Sequence, residues 1–510
     1  MFKRIYGIAK ADFLERRRRF SFIIMIAVAV ISIFFFVPNP EASVSSITIN
    51  PNEFAQMSDI SWILFATSIC VGVFFPIVGG TYIKNGVETD RKYGLSDLAQ
   101  TSGIKKSEYI FGKILANFFI LLVLLIVLFL GSLFMSVIKF PGERIPVKML
   151  WVVVIGSLPN LIFCATVATG LEIIPIFKGN IGRNVGTILL FSIMIANIVS
   201  AVMKPISWIG EIFDITNLAW SIQNIEDIVF PISGKHADVA VLSGGIANHS
   251  DSSLPALILD DIGFSKEFVV GKVFILFLCC IVAMILSSWA FDEKRVYKSK
   301  KAKELNPDRK ALKIRNSVSR ELGMRCRNIS LSWKVVLTLL WALIFLCQSK
   351  TGYSIVFPLL CIGCTPLFAD IGCREYQCGM NTVLSITNTR FVKQLVGEWV
   401  SAFIIFLVMV SPLLFGFIKE NEWDKGIGYI GLSILIPSLA AILGEYTEGS
   451  RAFELIFIVI CYTMLNIPSL IISITMVKCS VLIFVSVIML LVACVKRSKL
   501  YGIMEKISAS

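Results

Sequence analysis

Two histidines, His236 and His249, are the whole imidazole complement of this 510-residue chain. Neither belongs to a His-Glu-x-x-His run, which would put two imidazoles on one helix face for zinc. No local Ser–His arrangement supports an activated nucleophile. Both histidines fall in a polar segment, where they read as solvent-exposed bystanders. Cys361 and Cys364 have the two-residue spacing of a metal or redox pair. They lie in an apolar run with no histidine nearby, so ordinary packing is expected; buried cysteine behaves as a small hydrophobe. A phosphate-cradling loop needs G-x-x-x-x-G-K-[ST]. The nearest approach, "GNIGRNVGT" from Gly179, lacks the lysine and joins two apolar runs. The chain is therefore not expected to be an enzyme, nor to hold a metal or cofactor itself. Five acids near or within apolar runs remain: Glu172, Asp370, Glu445, Glu448 and Glu454. Charge inside a bilayer is costly and by default points to function. All but Glu172 lie near the end of a run, so salt bridging or solvation is expected, with Glu454 and Arg451 as one pair. A substrate or proton role is the alternative.

These residues sit in an apolar frame. The chain is 56 % hydrophobic and 16 % charged, with a mean hydropathy of +0.79. Soluble proteins carry about 25 % charged residues. Apolar runs long enough to cross a ~30 Å hydrocarbon core recur along the length. Spanning backbone must satisfy its own hydrogen bonds, so helices are expected. The fold class is an all-α polytopic membrane protein. Twelve spans are expected, near residues 20–38, 60–83, 112–138, 149–176, 183–203 and 268–291, then 332–348, 353–371, 396–418, 427–444, 452–471 and 477–495. Arg16 to Arg19 followed by an apolar run superficially resembles a signal peptide. The run is long and no A-x-A site follows, so it reads as a retained first span. The thirteen cysteines suggest no disulfide framework.

Lysine and arginine set the orientation. They crowd the N-terminal tail, the segment from Lys84 to Lys106, the C-terminus and residues 292–331, which hold thirteen Lys/Arg against five acids. Residues 38–59 have none and residues 205–265 only Lys235. Both termini are expected in the cytoplasm of a plasma-membrane protein, although Lys139, Arg144 and Lys148 run against the pattern. The net charge of +13 fits topology and anionic lipid rather than nucleic acid. The acidic outside segment 204–266 contains "LAWSIQNIEDIVF", expected as an interfacial helix. Trp62, Trp151, Trp208 and Trp423 are expected in an outer aromatic belt.

A repeat then emerges. Moved by 285 residues, Asp90 falls on Glu375, Gly94 on Gly379, Lys105 on Arg390 and Gly112 on Gly397. Leu95, Leu98 and Ala99 fall on Met380, Val383 and Leu384, in the i, i+3, i+4 spacing of one helical stripe. Gly103 and Asn388 close these short helices, as residues tolerant of left-handed backbone do. Basic amphipathic lead-ins precede both first spans, "FKRIYGIAKADFLERRRRF" and "LKIRNSVSRELGMRCRNIS". The expected organisation is a six-span half over 1–291, with a polar segment at 84–112 and the outside segment 204–266. A basic linker over 292–331 leads to a second six-span half over 332–510, with its polar segment at 372–397. Parallel repeats are a transporter signature.

The segment "DRKYGLSDLAQTSGIKKSEYIFGK" resembles the loop after the second span of ABC-2 type exporter permeases: an acid, a glycine, a short amphipathic helix, then a "GK" that opens the third span. "EYQCGMNTVLSITNTRFVKQLVGEW" resembles a degraded copy, with Glu398 where Lys113 stands. In that family the short helix is a coupling helix that docks on an ATP-hydrolysing subunit. The resemblance implies docking by Asp90, Gly94, Leu95, Leu98, Ala99 and Lys105, and by Glu375, Gly379, Met380, Val383, Leu384 and Arg390. It implies two separate P-loop ATPase subunits that carry ATP and magnesium, and outward movement of a hydrophobic or amphipathic cargo such as a peptide antibiotic, lipid or drug. The alternative is an ion- or proton-coupled secondary transporter with the six-plus-six layout of major-facilitator proteins, although the segment after the second span lacks that family's short turn. A membrane-embedded assembly or signalling partner is the third class.

Overall fold

The computed structural model describes residues 2–37, 44–50, 53–54, 60–75, 79–83, 86–92, 94–142, 147–174, 197, 213–234, 236, 239–246, 255, 257, 263–289, 317–328, 331–346, 356–377, 391–419, 421, 423–466 and 476–509. The chain divides into two compact units, Met1–Ser299 and Lys300–Ser510. Helices dominate both. Among the described residues six are long and apolar enough to cross a membrane: Lys106–Lys139, Gly156–Ile173, Lys266–Ser288, Val392–Lys419, Gly426–Thr447 and Cys479–Ser498. Shorter apolar helices cover Phe20–Ile33, Ile60–Gly72, Lys334–Phe345 and Phe357–Phe368. Apart from Asn197, the expected span at 183–203 lies outside the described residues, as do Gly379, Met380, Val383, Leu384, Asn388, Arg390 and His249.

In the first unit the helices are α1 (Phe2–Arg17), α2 (Phe20–Phe36), α3 (Ile60–Phe74), α4 (Gly80–Ile83), α5 (Gly86–Lys92), α6 (Leu95–Thr101), α7 (Lys106–Lys139), α8 (Val147–Ile173), α9 (Leu218–Ser233) and α10 (Lys266–Trp289). Helix α7 starts where the Glu108 carboxylate accepts the Lys105 N–H at 3.1 Å, filling one donor that a helix start leaves open. It packs against α1, α2, α8 and α10.

One departure from an all-helical chain is a two-stranded antiparallel ribbon, β1 (Val44–Ile49) with β2 (Val239–Ile246). Its register runs from Val44 opposite Ile246 to Ile49 opposite Val239. Strand β1 reads VSSITI. Its β-branched residues suit a strand and are too few for a span. The ribbon joins the two segments poorest in Lys and Arg, 38–59 and 205–265, at one end of the unit.

That end has its own core, in which Trp62, Phe65, Leu218, Trp220, Ile225 and Phe268 are buried together. Trp62 is thus not a belt residue. It is 1 % exposed and its indole N–H donates to the Leu257 carbonyl at 2.6 Å. The Lys139 ammonium donates to the Val37 carbonyl at this same end. The acidic-segment helix expected around "LAWSIQNIEDIVF" is α9.

The second unit holds α11 (Ser317–Asn328), α12 (Leu331–Leu346), α13 (Phe357–Phe368), α14 (Arg374–Gln377), α15 (Phe391–Lys419), α16 (Trp423–Thr447), α17 (Arg451–Asn466) and α18 (Met476–Ala509). Its tightest point is the approach of α16 to the turn after α13. A Cβ on Gly444 would stand 2.0 Å from the Ile371 carbonyl oxygen, so only glycine fits there.

Candidate functional site

The opposite end of the first unit carries α1, α5, α6, the start of α7 and the end of α8. Here a network of buried charged and polar groups ties five elements together. Asp12 of α1 meets Arg16 at 2.8 Å, one helical turn on, and Lys113 of α7 at 3.1 Å. Lys113 also meets Asp90 of α5 at 2.7 Å, and the Tyr109 hydroxyl donates to the same carboxylate at 2.7 Å. Arg16 donates to the Asn117 side chain at 2.7 Å and to the Ile83 carbonyl, at the end of α4, at 3.2 Å. Asn117 passes the network to Thr169 of α8 at 3.0 Å. Glu172 of α8 accepts the Val87 N–H of α5 at 2.5 Å. Asp12, Asp90, Lys113 and Arg16 are all buried.

The sequence explains the fit. Asp12 and Arg16 are four apart, so one face of α1 presents both. Gly112 lets α1 and α7 close, because a Cβ there would stand 2.8 Å from Ile8. Gly86 leaves room for Arg16, whose guanidinium would be 2.1 Å from a Cβ. Burial alone would push Asp12 up, but Arg16 and Lys113 outweigh it and hold the carboxyl below its ordinary 3.8.

Helix α6 projects from this anchored base. Gly94 and Gly103 bracket it, with φ of +70° and +72°, in the left-handed region that glycine reaches without strain. Leu95 is 45 % exposed and Leu98 63 % exposed; Ala99 and Gly94 are half-buried and Lys105 is exposed. The leucines of the apolar stripe expected of this helix thus face outward, uncovered among the described residues. Asp90, grouped with these residues in the sequence reading, is turned inward as an anchor.

The second unit holds a network of the same kind. Arg325 of α11 follows Glu321 by four residues, as Arg16 follows Asp12. Its guanidinium donates to the Ser401 hydroxyl of α15 at 3.0 Å, to the Glu398 carbonyl at 3.4 Å and to the Leu367 carbonyl at the end of α13. Arg374 of α14 bridges Glu321 at 2.7 Å and Glu398 at 3.3 Å. Burial would lower Arg374, but Glu398 and Glu321 outweigh it and hold the guanidinium above its ordinary range. Glu375 is buried and pairs with Arg497 of α18, which also meets Glu445 of α16 at 3.0 Å. The Tyr376 hydroxyl donates to Glu445 at 3.4 Å. Glu375, like Asp90, is therefore an internal anchor.

The anchoring contacts of Asp12, Arg16, Arg325, Arg374 and Arg497 are not expected from sequence, where Arg16 stands out only as part of a basic stretch. For the first three a signal existed: an acid and an arginine four apart in each lead-in helix. Arg497 gives no signal, since its partners are 122 and 52 residues away. The salt-bridging role expected for Glu445 is what it performs.

A separate polar knot lies at the ribbon end. Lys272 of α10 donates to Asn160 of α8 at 2.9 Å, to Asn217 at 2.7 Å and to the Asp214 carbonyl. The Asp214 carboxylate accepts the Leu218 and Trp220 N–H groups at 3.1 and 2.9 Å, capping α9. Burial pushes the Asp214 carboxyl above its ordinary 3.8, against the pull of Lys272.

Among the described residues no group of three or more His, Cys, Asp and Glu could hold a metal. His236 is exposed against Glu226, and Cys361 and Cys364 are buried in α13. Comparison with family models, with curated proteins and with solved structures gives no match.

Proposed function

We propose that the chain is the membrane permease subunit of an ATP-driven exporter of the ABC-2 kind, with twelve spans in two parallel six-span repeats and both termini in the cytoplasm. Separate P-loop ATPase subunits, one per half, supply the force. The cargo is hydrophobic or amphipathic and leaves through the plasma membrane.

The observation that carries this reading is α6: a short helix with bare leucines, whose base is locked by buried charge into the third span. A surface helix that only rested on lipid would not need that base. A push on Leu95 and Leu98 would pass through Asp90–Lys113 into α7, and through Glu172 into α8. Such helix-in-groove contacts suit docking on a partner.

Correspondence between the two networks supports the repeat. In each unit an arginine four residues after an acid reaches the carbonyl that ends the second span and a polar side chain on the third. In each, a glutamate late in the fourth span reaches the segment after the second: Glu172 to Val87, and Glu445 to Tyr376. The third-span charge is reversed, Lys113 against Glu398, and its partner is reversed with it, Asp90 against Arg374.

Purification of the chain from its native membranes in mild detergent tests the proposal. An ATP-hydrolysing P-loop subunit should accompany it. Leu98→Asp should cut that ATPase yield at least about tenfold, by burying a charge in the docking groove, and leave thermal unfolding unchanged. Accumulation of cargo driven by an imposed proton gradient without ATP would refute it.

A further inference from the structure

Helix α1 cannot rotate about its axis. Asp12 and Arg16 are locked to α7, and Ile8 sits against Gly112. The remaining faces are therefore fixed in direction. Lys3, Lys10 and Arg17 fall at i, i+7 and i+14, in one row along the helix, and all three are exposed. Phe2, Tyr6 and Phe13 form the neighbouring row; Phe2 and Tyr6 are exposed and Phe13 is half-buried. Only two residues separate α1 from α2, which begins at Phe20, so with α2 as the first span α1 would lie at the depth where that span meets water.

The charge balance isolates the basic row. The two acids of α1 are already used: Asp12 internally and Glu15 with Arg19. Arg4 reaches Glu108 at 3.6 Å. Among the described residues no acid pairs with Lys3, Lys10 or Arg17. Three cations at seven-residue spacing span about 21 Å of helix at ~1.5 Å per residue.

We propose that Lys3, Lys10 and Arg17 form a binding row for the phosphates of anionic phospholipid, with Phe2, Tyr6 and Phe13 sunk beside it among the acyl chains. Aromatic rings belong at the headgroup level, and long basic side chains reach from an apolar flank to the phosphates. The row holds α1 down in the leaflet while its opposite face grips the third span. This rests on the membrane reading alone and not on the exporter reading, so the two fail separately.

The test is native mass spectrometry of the full-length protein, purified in detergent and offered equimolar phosphatidylglycerol and phosphatidylcholine. One basic residue near an anionic surface is worth roughly fivefold in occupancy, so three set an upper limit of about a hundredfold. Phosphatidylglycerol adducts should exceed phosphatidylcholine adducts at least about tenfold. The triple variant Lys3→Gln, Lys10→Gln, Arg17→Gln should bring the ratio to within about twofold of unity. The charge-conserving pair Lys3→Arg, Lys10→Arg should keep it, as should Lys266→Gln at the ribbon end. Equal retention of the two lipids by the unaltered protein overturns the proposal, as does a preference that survives the triple variant.

Discussion

Asp12 carries more contacts than any single feature of its sequence suggests. It balances Arg16 and Lys113 at once, and through Lys113 it touches Asp90. Removing one member of such a buried set leaves the others uncompensated and costs about 3–5 kcal/mol. Asp12→Asn should destabilise the protein by roughly that amount at pH 7, read as a fall in the thermal unfolding temperature. The pH dependence has a definite sign. The folded carboxyl titrates below its ordinary 3.8, so its contribution is fully present above that value. It is lost as the pH falls through the lower, folded value. The unaltered protein should show this acid step and Asp12→Asn should lack it; equal acid profiles would refute the assignment. At this scale the sequence was only half legible. The lysine of the "GK" pair and the acid before Gly94 were visible, but not that they meet. Asp90 read as a surface charge because an acid in a polar segment ordinarily faces water; a lysine 23 residues away turns it inward.

Among the elements, α6 followed most directly from sequence. A three-residue apolar stripe between two glycines folds as a short helix because Gly94 and Gly103 take the left-handed backbone that ends it. The ribbon did not follow, because its strands are separated by nearly 200 residues and nothing local pairs them. The pre-span helices α1 and α11 were legible as amphipathic, yet each buries one acid–arginine pair, Asp12 with Arg16 and Glu321 with Arg325, while the rest of its charge stays exposed. In the second unit, contact between α16 and the turn before α14 depends on absent side chains. Gly372 sits at φ +74°, with a would-be Cβ 2.9 Å from the Ala441 carbonyl, and Gly444 meets Ile371 from the other side. Gly444→Ala should push α16 off this turn and cost about 1–3 kcal/mol in thermal or denaturant unfolding. An unchanged midpoint would show that the two segments separate without loss.

For the molecule as a whole, sequence and structure agree on a helical, apolar chain and on which loops share an end of the first unit. Residues 38–59 meet 205–265 through the ribbon, and the N-terminal helix meets the segment after the second span. Lys and Arg counts group these segments in the same pairs, because the cost of moving charge across a bilayer acts on whole loops and needs no knowledge of contacts. The matched networks were beyond sequence reading, since most of their contacts join residues far apart in the chain, such as Asp12 with Lys113 and Glu375 with Arg497. They support the central proposal, in which α6, exposed above a charge-locked base, is the handle through which force made elsewhere would reach the membrane helices. The most direct test is a photo-activatable phenylalanine analogue at position 98, irradiated in native membranes. The account predicts a cross-link from position 98 to a polypeptide with a phosphate-binding loop, absent when the analogue is placed at buried position 90. Cross-links at position 98 to lipid alone, or to the protein's own outer segment, would contradict it.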